Sequence, residues 1–197
     1  MRIVLDRVLA LLLCVCLSLL VAAIAVAIRL DSRGPILFRQ ARGGLKAKPF
    51  TILKFRTMSV DSPVYGRKPS DDDPRITPLG AVLRRTGLDE LPQLLNVIRG
   101  EMSLIGPRPE QYLLLSRFEP WMHERHLIRP GLTGWWQVHH RTGTPIYEDV
   151  EKDIYYVRNQ GPWLDLQILV RTVHVLISGL RGHGRGRGLT GIESDTA

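Results

Sequence analysis

Residues 8–28 form one long apolar run that no charged residue interrupts, with Ser18 as its only hydroxyl. About 20 apolar residues are enough for a helix to cross a bilayer core, so the pattern predicts a membrane-embedded helix within residues 1–30. Arginines flank the run on both sides, so the positive-inside rule does not choose an orientation. Three interpretations stay open: a re-entrant helix that enters and leaves by one face, a single span, and a signal peptide, because Ala-x-Ala triplets lie near the end of the run.

Shorter patterns follow this run. Residues 35–40 and 50–57 predict the two strands of a hairpin around a double glycine. Thr77, followed by a proline, is typical of an N-cap and predicts a helix over 78–86 that a glycine ends. Leucines and an isoleucine spaced three and four apart then predict a second helix, which closes at Gly100.

The second half of the chain is predicted to be mainly helical. Residues 101–110 are predicted to form a Gly/Pro loop and 129–147 an irregular stretch. Helices are predicted over 112–127, 150–159 and 164–177. In the last of these, the apolar residues share one stripe, which predicts either a helix that faces the core or one that lies in a membrane interface.

The charge balance narrows the class of partner. The 197-residue chain has 27 Lys and Arg against 19 Asp and Glu, a formal net charge of +8, which favours a phosphate-bearing partner such as nucleic acid, anionic lipid or a nucleotide. Its two cysteines, Cys14 and Cys16, lie inside the apolar run, so there is no disulfide framework. The Gly/Arg tract 181–188 has no apolar content that could fold, which predicts a disordered basic tail that contacts lipid headgroups.

The segment RRTGLDELPQ carries the candidate chemistry. Asp89 and Glu90 fall where a helix is predicted to begin, and the unpaired amides and the dipole of a helix start favour anions. A carboxylate that attacks a diphosphate needs cations nearby, because two anions must meet, and Arg84 lies just upstream. The second carboxylate can bind Mg²⁺ together with phosphate oxygens. An N-capping Asp beside a solvated Glu is the purely structural alternative.

Three further segments hold cations in restricted surroundings. Lys54 and Arg56 lie at the end of a predicted strand in KFRTM, Arg108 lies between two prolines in GPRPE, and Arg129 precedes Pro-Gly in RPGLTGW. Each segment alone could be a turn with a surface cation. Together with the acidic pair, they favour a site for phosphate groups.

In order along the chain, the segments GPILFRQ, FTILKFRTM, RITPLG, LRRTGLDELPQLLNVIRGEMSLIGPRPE, IRPGLTGW, DIYYVRN and DLQILVRT closely resemble the bacterial sugar transferase family. These are the monotopic polyprenol-phosphate phosphoglycosyl transferases. The resemblance runs from about residue 3 to about residue 180, and the short length resembles the minimal members of the family.

The resemblance implies a two-step reaction. An aspartate displaces UMP from a UDP-sugar, and polyprenol (undecaprenyl) phosphate then attacks the phosphosugar-enzyme, the first membrane step of a glycoconjugate or exopolysaccharide pathway. On the matching motif, Asp89 is the expected nucleophile and Glu90 the expected Mg²⁺-associated partner. The positions expected to face substrate phosphates are Lys54, Arg56, Arg84, Arg108 and Arg129.

The family also implies a fold and a location. The expected fold is α+β and mostly helical, with a compact catalytic domain (31–180) on a re-entrant membrane helix (1–30), interfacial amphipathic helices and a disordered tail (181–197). We expect the catalytic domain on the cytoplasmic face of the bacterial inner membrane. The expected partners are a UDP-sugar, polyprenol phosphate and phospholipid, and not nucleic acid.

Two features qualify these expectations. Family members usually have Ser-Pro in the middle of the membrane helix, whereas this chain has Ser18-Leu19, so the proline kink is absent. His123 and His126 have no carboxylate or thiolate partners at metal-ligand spacing. Both histidines are therefore predicted to be surface or interfacial residues.

Overall fold

The computed structural model describes residues 2–65, 73–139 and 149–181. The helices are α1 (Arg2–Cys16), α2 (Ser18–Asp31), α3 (Pro78–Thr86), α4 (Gln93–Arg99), α5 (Trp135–His139), α6 (Glu151–Asn159) and α7 (Pro162–Arg181). The strands are β1 (Leu37–Gly43), β2 (Pro49–Phe55), β3 (Ser103–Ile105) and β4 (Gly131–Thr133). Short 3-10 helical segments lie at Leu45–Ala47, Leu88–Glu90, Tyr112–Arg117 and Pro120–Leu127. The predicted α+β class, with helix predominating, is confirmed.

The apolar N-terminal run forms a bent pair of helices. α1 and α2 meet at Leu17, whose φ of −94° and ψ of 3° depart from helical values, and the two axes differ by 63°. No proline lies at the bend. Among the described residues, no single helix is long and apolar enough to cross a membrane, whereas this pair meets both criteria together. The bend therefore forms without the Ser-Pro that family members usually have at this place.

One face of the bent pair packs on the rest of the protein. Ala10 is fully buried in a cluster with Val97 of α4, and Ile28 in a second cluster with Leu83 of α3. The other faces remain open, with Leu19 at the bend 84% exposed. Wide apolar exposure of this kind marks a surface that meets either a membrane or a partner.

The predicted hairpin is confirmed, with shifted ends. β1 and β2 pair antiparallel from Leu37 opposite Phe55 to Gly43 opposite Pro49. Phe55 is buried in the cluster beneath α2 and α3. β2 thus carries the residues at its C-terminal end into the centre of the protein.

The helix predicted over 78–86 is confirmed at both ends. The Thr77 hydroxyl accepts a hydrogen bond from the Gly80 amide at 3.0 Å, and Gly87 ends α3 with a φ of 71°. The second predicted helix begins later than expected. Its first residues form a 3-10 turn, because Pro92 has no N–H to donate, and α4 begins only after it.

Two predictions for residues 101–127 are wrong. The predicted loop contains β3, which pairs in parallel with β4. Glycines permit this approach, since a Cβ at Gly131 would lie 2.0 Å from the amide nitrogen of Gly106. The helix predicted over 112–127 is two 3-10 segments, because Pro120 cannot continue the first one.

The predicted C-terminal helices are both confirmed as α6 and α7. In α7, Leu164 and Ile168 are buried, while the predicted apolar stripe is exposed, from 40% at Leu176 to 62% at Val170. The interpretation of that stripe as core-facing is therefore wrong. Residues 140–148 and the predicted tail from residue 182 onward lie outside the described residues.

The prediction for the two histidines is wrong for one of them. His126 is only 6% exposed, and its ring stacks with those of Phe118 and His123 at centroid distances of 6.0 and 5.4 Å. Burial, together with the neighbouring Arg125, lowers the pKa of His126 to about 3. The ring is therefore neutral at physiological pH and acts as a core residue.

Candidate active site

Asp89 and Glu90 lie on the tight turn between α3 and α4. The left-handed conformation of Gly87 ends α3 and reverses the chain, so the 3-10 turn Leu88–Glu90 follows at once. The Glu90 amide donates to the Gly87 carbonyl at 3.1 Å and closes this turn. The two carboxylates are thereby held next to the C-terminal end of β2.

Glu90 is clamped by two cations. Its Oε1 accepts hydrogen bonds from Lys54 Nζ at 2.6 Å and from Arg108 Nη2 at 3.1 Å. Burial alone would raise the pKa of Glu90, but these two charges reverse the effect and hold it well below its usual value. Glu90 is therefore ionised across the physiological range.

Asp89 has a different environment. It is 9% exposed, and its carboxylate accepts no hydrogen bond from the described residues. Burial raises the pKa of Asp89 to about 6; the charge of Lys54 opposes this shift and that of Glu90 adds to it. A carboxylate that has lost water without gaining donors is a destabilised anion, which is the state expected of a nucleophile rather than of a structural cap.

Three of the five predicted cations converge on this pair. Lys54 comes from β2, Arg108 from the loop after β3, and Arg84 from the last turn of α3. Arg84 Nε donates to the Thr57 hydroxyl at 2.8 Å, and its charge lowers the pKa of Asp89. The site thus joins two carboxylates and three cations from separate elements.

The other two predicted cations are held elsewhere. Arg56 is buried and donates to the carbonyls of Ser32 and Arg33, at 2.8 and 2.6 Å, where it fastens the end of α2. Arg129 Nε donates to the Gly100 carbonyl at 2.8 Å, beyond the far end of α4. It lines an open cleft of about 330 Å³ together with the β1–β2 turn.

Residues that the sequence did not single out hold the Arg108 loop in place. Arg42 Nη1 lies 3.5 Å from Glu110 Oε1 and donates to the Pro109 carbonyl at 3.1 Å. Burial lowers the pKa of Arg42 to about 10 despite the facing Glu110 carboxylate. Arg125 donates to the Arg108 carbonyl. These pairings join distant parts of the chain, and no local pattern in the sequence marks them.

The residues that build this site lie in a stretch of sequence that matches a known protein family. The family described as "Bacterial sugar transferase" matches residues 1–179. The chain belongs to this family. The match includes the helix pair, the acidic turn and the Arg108 loop of this bacterial sugar transferase, so the predicted family is confirmed.

Several curated relatives are similar to this bacterial sugar transferase. An Aeromonas hydrophila protein, named UDP-N-acetylgalactosamine-undecaprenyl-phosphate N-acetylgalactosaminephosphotransferase, is 41% identical over 82% of this chain and 40% of its own length. A Caulobacter vibrioides protein, named UDP-glucose:undecaprenyl-phosphate glucose-1-phosphate transferase, is 45% identical over 89% and 69%. The Bacillus subtilis uncharacterized sugar transferase EpsL is 40% identical over 88% and 86%. The chain spans about two fifths of the length of the Aeromonas relative.

Proposed function

We propose that this protein transfers a sugar 1-phosphate from a UDP-sugar to undecaprenyl phosphate through a phosphosugar bound covalently to Asp89, with release of UMP. The observation that carries the proposal is the contrast within the acidic pair. Asp89 is buried and accepts no hydrogen bond from the described residues, while Glu90 beside it is held by two cations. The names of the Aeromonas and Caulobacter relatives, which specify UDP-sugars and undecaprenyl phosphate, support the choice of substrates.

In the first step, an Asp89 carboxylate oxygen attacks the phosphorus that bears the sugar. The bond from that phosphorus to the bridging oxygen of the diphosphate breaks, the electron pair leaves with UMP, and an acyl phosphate ester remains on the enzyme. Lys54, Arg84 and Arg108 offset the repulsion between the carboxylate and the diphosphate. The absence of hydrogen bonds from the described residues to Asp89 leaves its lone pairs available for this attack.

In the second step, a phosphate oxygen of the acceptor lipid attacks the same phosphorus. The bond between that phosphorus and the Asp89 oxygen breaks, and the carboxylate is regenerated in its starting form. One set of cations serves both steps, because UMP leaves before the acceptor arrives. The kinetics are therefore ping-pong.

We also propose Mg²⁺ as the cofactor, held by Glu90. Glu90 Oε1 is occupied by Lys54 and Arg108, whereas Oε2 accepts no hydrogen bond from the described residues. In the part of the chain that the structure describes, no group of three or more His, Cys, Asp and Glu could hold a metal ion. One available carboxylate oxygen fits Mg²⁺, which commonly takes one or two carboxylates and completes its shell with water and substrate phosphate. When bound, Mg²⁺ supplies charge neutralisation to the phosphates.

The test is a panel of UDP-sugars labelled in the sugar, incubated with purified protein, Mg²⁺ and undecaprenyl phosphate. The proposal predicts, for at least one sugar, lipid-linked sugar phosphate and an equal amount of UMP. Release of UDP instead of UMP would show that the sugar is transferred without its phosphate. That result, or no product from any UDP-sugar, contradicts the proposed reaction.

We further propose that the protein lies in the bacterial inner membrane with its catalytic domain on the cytoplasmic face, and that the helix pair enters and leaves by that face. At the start of α1, Arg2 lies 3.3 Å from Asp165 of α7. Just after α2, Arg56 binds the carbonyls of residues 32 and 33. Both ends of the pair are thus held by the same domain, whereas a full span would separate them by about 30 Å of hydrocarbon.

The exposed stripe of α7 supports an interfacial position for this helix. Trp163 at its start is 71% exposed and Val170 62% exposed. Tryptophan beside an aliphatic stripe is typical of helices that lie in the headgroup region. In this arrangement α7 and the helix pair contact the same leaflet.

Cysteine labelling tests the topology. Ile3→Cys in a Cys14→Ala/Cys16→Ala background gives one reporter at the start of α1, where Ile3 is 38% exposed, and Ser116→Cys in the same background gives a reporter in the catalytic domain. The proposal predicts that an impermeant maleimide labels neither position in intact cells and both positions after lysis. Labelling of Ile3→Cys alone in intact cells would demonstrate a full span.

A further inference from the structure

Asn96 is fully buried in α4, and both polar atoms of its side chain have partners. Its Oδ1 accepts a hydrogen bond from the Leu53 amide at 3.1 Å. Its Nδ2 donates to the Thr51 carbonyl at 2.8 Å and to Glu101 Oε2 at 2.6 Å. One amide side chain therefore links β2, α4 and the segment that leads into β3.

Two of these hydrogen bonds supply partners for backbone groups on the edge of β2 that faces away from β1. β1 pairs with one edge of β2 in a two-stranded sheet, and no strand among the described residues lies along the other edge. The Leu53 N–H and the Thr51 C=O lie on that edge, and Leu53 is buried, so its N–H would be costly to leave without a partner. The Asn96 amide offers one acceptor and one donor in the manner of a peptide group, and takes the place of the missing strand.

The fastened stretch of β2 lies directly before Lys54. Lys54 Nζ contacts Glu90 Oε1 at 2.6 Å, and Glu90 belongs to the turn that leads into α4. The strand that carries the cation and the helix that follows the carboxylate are therefore joined at Asn96. Movement of β2 away from α4 would separate the two charged groups.

We propose that Asn96 is a positioning residue that fixes Lys54 against Glu90 by fastening the open edge of β2 to α4. The catalytic meaning of this role rests on the proposed function, whereas the positioning itself does not. The side chain of Asn96 forms no hydrogen bond with Lys54 or Glu90, so it acts through the strand. A purely structural role, by contrast, would stabilise the fold without any specific effect on Lys54.

Competitive amine labelling of the full chain in detergent micelles measures this position without requiring activity. Acetic anhydride is added in trace amounts, and the acetylated fraction of Lys54 relative to exposed Lys48 is read by peptide mass spectrometry. In the parent protein Lys54 is protected, because its side chain is 16% exposed and its ammonium group is paired with Glu90. Glu90→Gln serves as the positive control, because it removes the partner charge directly.

The main variant is Asn96→Leu, which has a similar size and no hydrogen-bonding group. We expect the relative labelling of Lys54 to rise by about tenfold, because the variant loses both bonds that fasten β2 and each net bond corresponds to a factor of roughly two to ten. Val97→Ala is the matched control: it is also fully buried in α4, and it loses packing but no bond to β2. Its Lys54 labelling should equal that of the parent.

Asn96→Asp provides a second variant if Asn96→Leu does not fold. It keeps an acceptor for the Leu53 amide but loses the donor to Thr51 and places a second carboxylate beside Glu101. Its Lys54 labelling should rise as well. Raised labelling supports the proposal when it exceeds that of Val97→Ala under conditions where both proteins are folded, and parental Lys54 labelling in a folded variant of either kind would overturn it.

A double-mutant cycle connects the position of Lys54 to turnover. Asn96→Leu should lower kcat by a larger factor in the parent than in Lys54→Arg, because the residue through which it acts is already altered there. Equal factors in both backgrounds would assign Asn96 a structural role only. If no UDP-sugar yields UMP, the proposed function fails, and the labelling experiment still decides the positioning of Lys54.

Discussion

Arg125 and Asp153 form an ion pair in the interior, with side chains 1% and 0% exposed and Nη2 2.5 Å from Oδ2. Burial raises the pKa of Asp153, although the Arg125 charge opposes the shift. Arg125→Met leaves this carboxylate buried without its cation, which costs about 3–5 kcal/mol. For a chain of this size, each kcal/mol lowers the Tm by about 2–4 °C, so we expect a decrease of roughly 6–20 °C.

A second substitution separates stability from function. In the described part of the structure, Arg125 Nε and Nη1 have no hydrogen-bond partners, so the pair is incompletely satisfied. Adding Asp153→Leu should therefore recover most of the lost stability, because an apolar pair of similar volume commonly matches a buried ion pair. The activity of the double variant should not recover, because it still lacks the Arg125 bond to the Arg108 carbonyl. Arg108 is one of the two cations that bind Glu90.

The assays are thermal unfolding followed by tryptophan fluorescence in detergent, and UMP release at a temperature where all variants are folded. We expect the double variant to unfold near the parent Tm while its turnover stays as low as that of Arg125→Met. A double variant as unstable as the single one would refute the electrostatic reasoning. Recovery of turnover together with stability would refute the role of Arg125 in holding Arg108.

Three further substitutions test individual contacts. Arg108→Lys keeps the charge but loses the planar fork that reaches Glu90 at 3.1 Å, so UMP release should fall by about tenfold or more while the Tm stays the same. Glu90→Gln alters the proposed Mg²⁺ ligand and removes the charge that pairs with two cations, so a Mg²⁺ titration should show a higher half-saturating concentration; an unchanged value contradicts the proposed Mg²⁺ ligand. Because the pKa of His126 is lowered from 6.5 to about 3, the unfolded chain binds a proton in that window that the folded chain does not, and stability falls as the pH falls through it. His126→Phe should reduce the loss in urea midpoint between about pH 7 and pH 5, and an equal loss would contradict the burial of a neutral ring.

Local signals in the sequence predicted many of the elements. Thr77-Pro78 and Gly87 predicted both ends of α3, because capping and left-handed glycine act within one turn of the chain. The pairing of β3 with β4 could not be predicted, since two three-residue strands in parallel are defined by close packing of glycines distant in sequence. The pattern over 112–127 predicted one helix, whereas Pro120 divides this stretch into two 3-10 segments.

The acidic pair and three cations could also be predicted, because they lie within motifs that resemble a family. The motifs did not show which cations meet the pair. Arg56 lies in the same strand-end motif as Lys54, and Arg129 is followed by a proline as Arg108 is. Their guanidinium groups nevertheless bind backbone carbonyls away from Asp89. Whether a cation reaches the acidic pair depends on where two helices end, because Arg56 binds the carbonyls just after α2 and Arg129 binds the carbonyl that follows α4. Both are properties of the tertiary structure.

Asp89 is proposed to form a covalent phosphosugar before the acceptor binds. The most direct measurement is the intact mass of purified protein mixed with an accepted UDP-sugar and Mg²⁺ in the absence of undecaprenyl phosphate. We predict an increase equal to one sugar phosphate together with one equivalent of UMP, and no increase for Asp89→Asn, which has nearly the same size but lacks the nucleophilic carboxylate. An adduct on Asp89→Asn, or UMP release by the parent only when undecaprenyl phosphate is present, would contradict the account.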